Sequence, residues 1–124
     1  MSFLVFKAYV KLVHFEFYLA SGTFSAIYEK VRYHPIARKH PPRDAVNHVC
    51  SAVDMACIWY WKEVRCLQRS AATTCLLKDY GVPAELVIGA QLMPFKSHAW
   101  VEVGGQIVND KPYLPEIYGV LDRC

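Results

Sequence analysis

Apolar residues recur at helical spacing through the first half of the chain. The segment from Ser2 to Tyr33 is dense in such positions and is predicted to form two helices, broken near Ser21-Gly22-Thr23. The segment 34–43 contains three prolines and is predicted to be a loop, because proline removes a backbone donor. Asp44 is expected to cap a third helix. Its apolar positions follow a spacing of three to four residues: Val46, Val49, Cys50, Val53, Cys57 and Ile58.

The pattern changes in the second half of the chain. Residues 66–79 keep a helical period, and Gly81 followed by Pro83 predicts the stop, since glycine suits the left-handed cap and proline prevents continuation. Three short strands are then predicted over 85–92, 98–103 and 106–110, with Gly104-Gly105 as the last turn. Helices followed by an antiparallel sheet favour an α+β fold.

Length and composition limit the architecture to one domain. The chain has 124 residues, of which 54% are hydrophobic and 20% charged, enough for one core and too few for two ordinary domains. We expect a single domain over 1–124, with N-terminal helices and a proline-rich loop over 1–43 and a core over 44–124. The net charge of +3 is spread along the chain, so we expect no nucleic-acid partner.

The cysteines and the N-terminal segment indicate the cellular compartment of the protein. Five cysteines form no CxxC pair, and with no recognisable signal peptide they favour a reducing cytoplasm. Cys50, Cys57 and Cys75 are predicted to be core residues and Cys124 a frayed terminal thiol. Charged residues and a histidine interrupt the apolar stretch 3–19 too often for a membrane span. We interpret that stretch as a helix that either completes the core or forms a docking face, with peripheral membrane contact as the less favoured alternative.

Three residues carry the candidate chemistry. Cys66 opens a predicted helix, His98 lies on a predicted strand and Asp110 on the next, an order typical of cysteine nucleophile systems. An ordinary cysteine is mostly protonated in the cell, with a pKa of about 8.5. A helix N-terminus contributes up to about 2 kcal/mol, or roughly one and a half pKa units. Cys66 therefore requires His98 as its base and Asp110 to orient the imidazole.

The geometry of the hairpin at Gly104-Gly105 determines whether Asp110 can orient the imidazole of His98. A two-residue turn would set His98 opposite Lys111, and His98 and Asp110 would point to opposite faces of the sheet. A three-residue loop with a bulge would pair His98 with Asp110 on one face. We therefore predict the three-residue loop.

Each of these residues also has an ordinary structural interpretation. A cysteine near a helix start is usually a small buried hydrophobe, and an aspartate before Lys111-Pro112 can be a turn former. Zinc binding by Cys66, His98 and a further cysteine is disfavoured, because the spacings fit no common site. We expect no metal and no cofactor. The backbone N–H of Cys66 is the natural donor to an oxyanion.

The motifs resemble those of a known family. The runs RCLQRS over 65–70, LLKDYGVPAELVIG over 76–89, HAWVEV over 98–103 and VND over 108–110 resemble the leader peptidases of lasso-peptide biosynthesis. These are microcin-processing, transglutaminase-like cysteine proteases. The resemblance covers about residues 65–110.

The resemblance implies a function and partners. It implies a transglutaminase-like or papain-like core, with the nucleophile helix packed on a small antiparallel sheet, that removes the leader from a ribosomally made precursor. Nucleophile, base and orienting acid would be Cys66, His98 and Asp110. A stand-alone form of this kind would need a separate winged-helix leader-recognition protein, and a lasso cyclase would use the product. No glycine-rich phosphate loop appears, so we expect no nucleotide cofactor.

Two other functions stay open from the sequence. The same residues would serve a transglutaminase-like acyltransferase, in which an amine replaces water as the acceptor. A non-catalytic module that only binds a peptide is the alternative from another class.

Overall fold

Helices precede a small sheet in the computed structural model, which describes residues 2–20, 24–92 and 94–124. The predicted break at 21–23 lies outside these residues. Across the described ranges the elements are α1 (Ser2–Ala20), α2 (Phe24–Arg32), α3 (Ala45–Trp59), α4 (Cys66–Asp79), β1 (Ala84–Leu92), β2 (Phe95–Val103), β3 (Gln106–Ile107), α5 (Leu114–Ile117) and β4 (Gly119–Arg123).

The sheet is antiparallel, with strand order β3-β2-β1-β4. β1 and β2 pair along their full length, from Ala84 opposite Val103 to Leu92 opposite Phe95. β4 pairs with the other edge of β1 through an irregular register near Gly89. The predicted α+β arrangement is confirmed, whereas α5 and β4 were not anticipated. The predicted third strand was too long, since β3 ends at Ile107.

α4 is the central element of the fold. It packs against α1 and α3 on one side and against β1 and β2 on the other. Its residues Leu76 and Leu77 are buried with Leu12 of α1 and Leu86 of β1. Burial of this apolar surface is the main driving force for the arrangement. α4 approaches the surface near its start, where Cys66 and Arg69 are half-buried, and at its last residue, Asp79.

The bounds predicted for α4 are confirmed. The preceding residue is extended, and Gly81 has a φ of 85° after the last turn. A side chain at Gly81 could not fit, because its Cβ would lie 2.4 Å from the carbonyl oxygen of Lys39. The proline-rich loop is thus held against the end of α4, where the Ala37 N–H also donates to the Lys78 carbonyl at 2.8 Å.

Three details predicted around α3 and the C-terminus are wrong. Asp44 precedes α3 with a φ of 60° and its side chain makes no cap hydrogen bond. Ile58 is 74% exposed, because helical spacing places it on the face of α3 opposite buried Val49. Cys124 is half-buried, and its N–H donates to the Leu86 carbonyl at 2.8 Å, so it is not frayed. Within the described residues, no helix is long and apolar enough to cross a bilayer.

Candidate active site

Cys66 stands at the first position of α4, where free backbone N–H groups and the helix dipole favour a negative charge. Its side chain is half-buried and borders a small cavity of about 40 Å³. The lining of this cavity combines the start of α4 with β1 and β2: Cys66, Leu67, Ile88, Ser97, His98 and Ala99. The predicted nucleophile and the predicted base therefore border one cavity.

A buried glutamine fixes the start of α4. Gln68 is 1% exposed, and its Nε2 donates to the Leu12 carbonyl at 2.7 Å and to the Tyr60 hydroxyl at 3.2 Å. That hydroxyl donates to Glu16, which also pairs with Lys62 at 2.9 Å. The hydrogen bond from Lys62 is the main reason why the pKa of Glu16 is lowered. The loop before Cys66 is thus anchored to α1.

His98 and Asp110 are in direct contact. The imidazole Nε2 and the carboxylate Oδ2 are 2.7 Å apart, and the Lys111 N–H donates to Oδ1 at 2.8 Å. Burial alone would raise the pKa of the Asp110 carboxyl, but the hydrogen bonds from His98 and Lys111 outweigh it and lower the pKa. An ionised carboxylate only accepts, so Nε2 carries the proton and Nδ1 is the free nitrogen.

The three-residue loop that was predicted to permit the contact between His98 and Asp110 is wrong. Gly104 and Gly105 have φ values of 59° and 81° and form a two-residue turn, with Val103 opposite Gln106. The contact exists because the ladder stops early. Val108 still donates to the Val101 carbonyl at 3.0 Å, but the chain then bends over 108–110 and leaves the strand direction. The alternation of side chains along a strand therefore no longer determines the direction in which the Asp110 side chain points.

Asn109 stabilises this bend. Its Oδ1 accepts the Val101 N–H at 2.8 Å, in place of the backbone carbonyl that a continuing strand would offer. Its Nδ2 donates to the Ser70 hydroxyl at 3.1 Å, which donates to the Ala99 carbonyl at 3.1 Å. The Arg69 guanidinium donates to the Asn109 carbonyl. The helix that begins with Cys66 thus holds the residue that precedes Asp110.

Two aromatic rings support the imidazole of His98. Tyr118 stacks on it with ring centroids 5.6 Å apart and 22° between the planes, and Trp100 lies at 6.3 Å and 29°. Trp100 is fully buried and donates through Nε1 to Glu102 at 2.9 Å. That carboxylate also accepts from the Arg123 guanidinium. These contacts restrict the rotation of the ring while Asp110 fixes its tautomer.

The strand position opposite His98 has to be glycine. Gly89 pairs with His98 across β1 and β2. A Cβ at this position would lie 2.7 Å from Cη2 of Trp100 and 2.8 Å from Cβ of Tyr118. The absence of a side chain therefore lets both rings approach the imidazole.

Cys66 and His98 approach the cavity from different sides of the sheet. Ala99 and Val101 face α4 in the main core, whereas His98 shares the opposite face with Trp100. Between these two described residues there is no hydrogen bond from thiol to imidazole. Contacts of this kind are often loose in a free enzyme and tighten when substrate binds. In the structure the two residues line the same cavity, and His98 is hydrogen-bonded to the carboxylate of Asp110.

The other four cysteines are less suited to nucleophilic attack. Burial raises the pKa of Cys50, Cys75 and Cys124 to about 11, and burial also raises that of Cys57. None of them borders the cavity that Cys66 lines. In the described ranges, no cluster of three or more His, Cys, Asp or Glu side chains is placed to hold a metal ion.

Sequence reasoning missed three residues of this site. Gln68 could have been noticed as a polar residue on a face of α4 that is otherwise apolar. Asn109 was taken as a strand residue, although asparagine readily replaces a backbone partner where a strand ends. Tyr118 follows a segment for which no element was predicted, and no pattern in the sequence connects it with His98.

Comparison with known proteins identifies the family. A family model described as the transglutaminase-like superfamily matches residues 10–123. The microcin J25-processing protein McjB of Escherichia coli is 45% identical over 56 residues, which are 45% of this chain and 27% of that protein. The chain thus aligns with about a quarter of that relative's length. No solved structure gives a significant match. Since the family model extends over most of its residues, the chain belongs to the transglutaminase-like superfamily.

Proposed function

We propose that the protein is a cysteine peptidase that removes the leader from a ribosomally synthesised lasso-peptide precursor. The observation that carries the proposal is the His98–Asp110 hydrogen bond beside the cavity that Cys66 lines. The partial similarity to McjB, whose name describes it as processing microcin J25, supports the substrate class. Membership of the superfamily supports a thiol mechanism.

The first half of the reaction forms a thioester. Nδ1 of His98 takes the thiol proton of Cys66, and the thiolate adds to the carbonyl carbon of the scissile bond. The backbone N–H of Cys66 donates to the resulting oxyanion. As the tetrahedral intermediate collapses, the C–N bond breaks and His98 returns its proton to the leaving amine, which is the new N-terminus of the core peptide.

The second half releases the leader. His98 removes a proton from water as the oxygen adds to the thioester carbonyl. Collapse of the second intermediate breaks the C–S bond and frees the leader as a carboxylic acid, and His98 returns the proton to the sulfur of Cys66, which restores the thiol. Asp110 stays ionised throughout, because its pKa is lowered, and it stabilises the imidazolium in both halves.

The proposal includes partners and a setting. The leader of the precursor would be bound by a separate winged-helix recognition protein that presents the scissile bond to this single domain. The freed amine would be the nucleophile that a lasso cyclase joins to a side-chain carboxylate. All five cysteines are free, which suits a reducing cytoplasm.

Mass spectrometry of the products tests the proposal. Purified protein, precursor peptide and recognition protein should yield a leader fragment with a free carboxylate and a core fragment with a free amine. Cys66→Ala should abolish cleavage, whereas the matched change Cys57→Ala, at a half-buried cysteine outside the cavity, should retain it. Full cleavage by Cys66→Ala would rule out the thiol mechanism.

The same assay separates the alternatives. Superfamily membership favours acyl transfer as the second candidate, because a thioester can pass to an amine as readily as to water. With methylamine present, a leader product that carries the amide would indicate transfer. Bound but uncleaved precursor would indicate a peptide-binding module.

A further inference from the structure

α1 exposes a second apolar face. Its inner face is buried through Ala8, Leu12 and Phe15. On the outside, four large apolar side chains recur at helical spacing and remain half to three-quarters exposed: Phe3 at 67%, Phe6 at 64%, Val10 at 50% and Phe17 at 72%. Exposed apolar stripes of this kind mark interaction surfaces.

Part of this stripe lines a groove. Phe3, Phe6 and Val10 border a cavity of about 550 Å³ together with Leu76 of α4 and Lys30 of α2. This volume can receive several large side chains. Phe17 lies on the same helix and is equally exposed, but it is not part of the groove. We call this cavity the α1 groove.

The margin of the α1 groove is basic. Among the described residues, Lys7, Lys11 and Lys30 line it, and Asp79 is the one acidic residue of the lining. That carboxylate lies 2.6 Å from His34 and 3.6 Å from Lys11, so Lys7 and Lys30 are the lysines of the margin that stand outside this ion pair. A positive margin around an apolar floor is complementary to a ligand that is apolar in the middle and acidic at its edges.

We propose that the α1 groove binds an acidic amphipathic helix of a partner protein, with apolar anchors in the groove and carboxylates beside the lysines. A concave surface fits the ridge of a helix better than the plane of a membrane. A second copy of this chain would bring lysines against lysines. The proposal goes beyond the peptidase function, because none of the described residues lines both the α1 groove and the cavity beside Cys66.

A designed peptide tests the proposal. The probe is a fluorescent helix of about 18 residues with leucine at positions i, i+3, i+4 and i+7 and glutamate on its flanks. Binding to the full chain is followed by fluorescence anisotropy and should weaken as salt is added. Phe6→Glu should weaken binding at least about tenfold, and Lys7→Glu with Lys30→Glu should do the same while reversing the salt dependence, because salt then screens a repulsion.

Phe17→Glu is the matched control and should leave the affinity unchanged, since Phe17 lies outside the groove. Circular dichroism should show all variants folded, because Phe6, Phe17 and Lys30 are exposed and Lys7 is only half-buried. Equal weakening by Phe17→Glu, or equal binding of a peptide with lysine in place of glutamate, would overturn the proposal. Failure of the probe to bind would also overturn it. This holds whether Phe6 is then found to be required for sedimentation with phosphatidylserine vesicles, for self-association in light scattering, or for neither.

Discussion

Replacement of Asn109 by alanine should damage both the stability and the activity of the protein. The side chain of Asn109 accepts the Val101 N–H at 2.8 Å and donates to the Ser70 hydroxyl at 3.1 Å. Alanine removes both interactions and leaves the N–H of the fully buried Val101 without its acceptor. The bend that carries Asp110 to His98 then loses its attachment to β2 and α4.

The expected magnitudes follow from these contacts. An unsatisfied buried N–H costs about 1–3 kcal/mol of folding free energy. For a domain of this size, the melting temperature falls by about 4 °C for each kcal/mol, so we expect a drop of about 4–12 °C. Misplacement of a catalytic group by about 1 Å can cost about 10²-fold in rate, and kcat should fall by that order while KM changes little. Ser70→Ala removes one of the two contacts and should have a smaller effect of the same kind.

Calorimetry and the cleavage assay measure the two effects separately. Asn47→Ala serves as the matched control, because Asn47 is an exposed asparagine on α3. At a temperature where Asn109→Ala is fully folded, its kcat should still be reduced. A variant that melts earlier but cleaves at the normal rate would refute the positioning role of Asn109. An unchanged melting temperature would refute the hydrogen-bond argument itself.

Three further predictions concern the surroundings of His98 and the thiols. Tyr118→Ala should lower kcat by about tenfold or more, and Tyr118→Phe should restore it, because the ring and not the hydroxyl stacks on His98; equal loss in both would contradict this. Gly89→Ala should cost about 1–3 kcal/mol of unfolding free energy in denaturant titrations, whereas Gly119→Ala, with its nearest atom at 3.7 Å, should be neutral. Iodoacetamide at pH 7 should label Cys66 first in peptide mapping, because thiols with a pKa of about 11 are only about 10⁻⁴ ionised at that pH; faster labelling of Cys50 would contradict this.

The elements that the sequence predicted well depend on local interactions. α4 was predicted with its observed bounds, because its stop depends on a glycine with positive φ followed by a proline. β1 was predicted nearly in full because its apolar run is continuous. In contrast, β4 is exposed along its length and is a strand only because it pairs with β1, some thirty residues earlier in the chain.

Sequence order was enough to predict a contact between two of the candidate site residues, but not the geometry that produces it. The order of Cys66, His98 and Asp110 led to a contact between the last two that the structure contains. The route to that contact was wrong, because side-chain hydrogen bonds of Asn109 end the strand where a hairpin register would continue it. Register rules describe backbone pairing and cannot anticipate a side chain that replaces it.

Covalent trapping tests the central claim most directly, namely that Cys66 is the nucleophile served by His98 and Asp110. A leader peptide that ends in a vinyl sulfone would accept the thiolate at its β-carbon and a proton at its α-carbon, so the adduct keeps the full mass of both molecules. Peptide mapping should find the leader on Cys66 alone, and His98→Ala should slow its formation by about 10²-fold or more. An adduct on another cysteine, or none at all from protein that cleaves the precursor, would contradict the account.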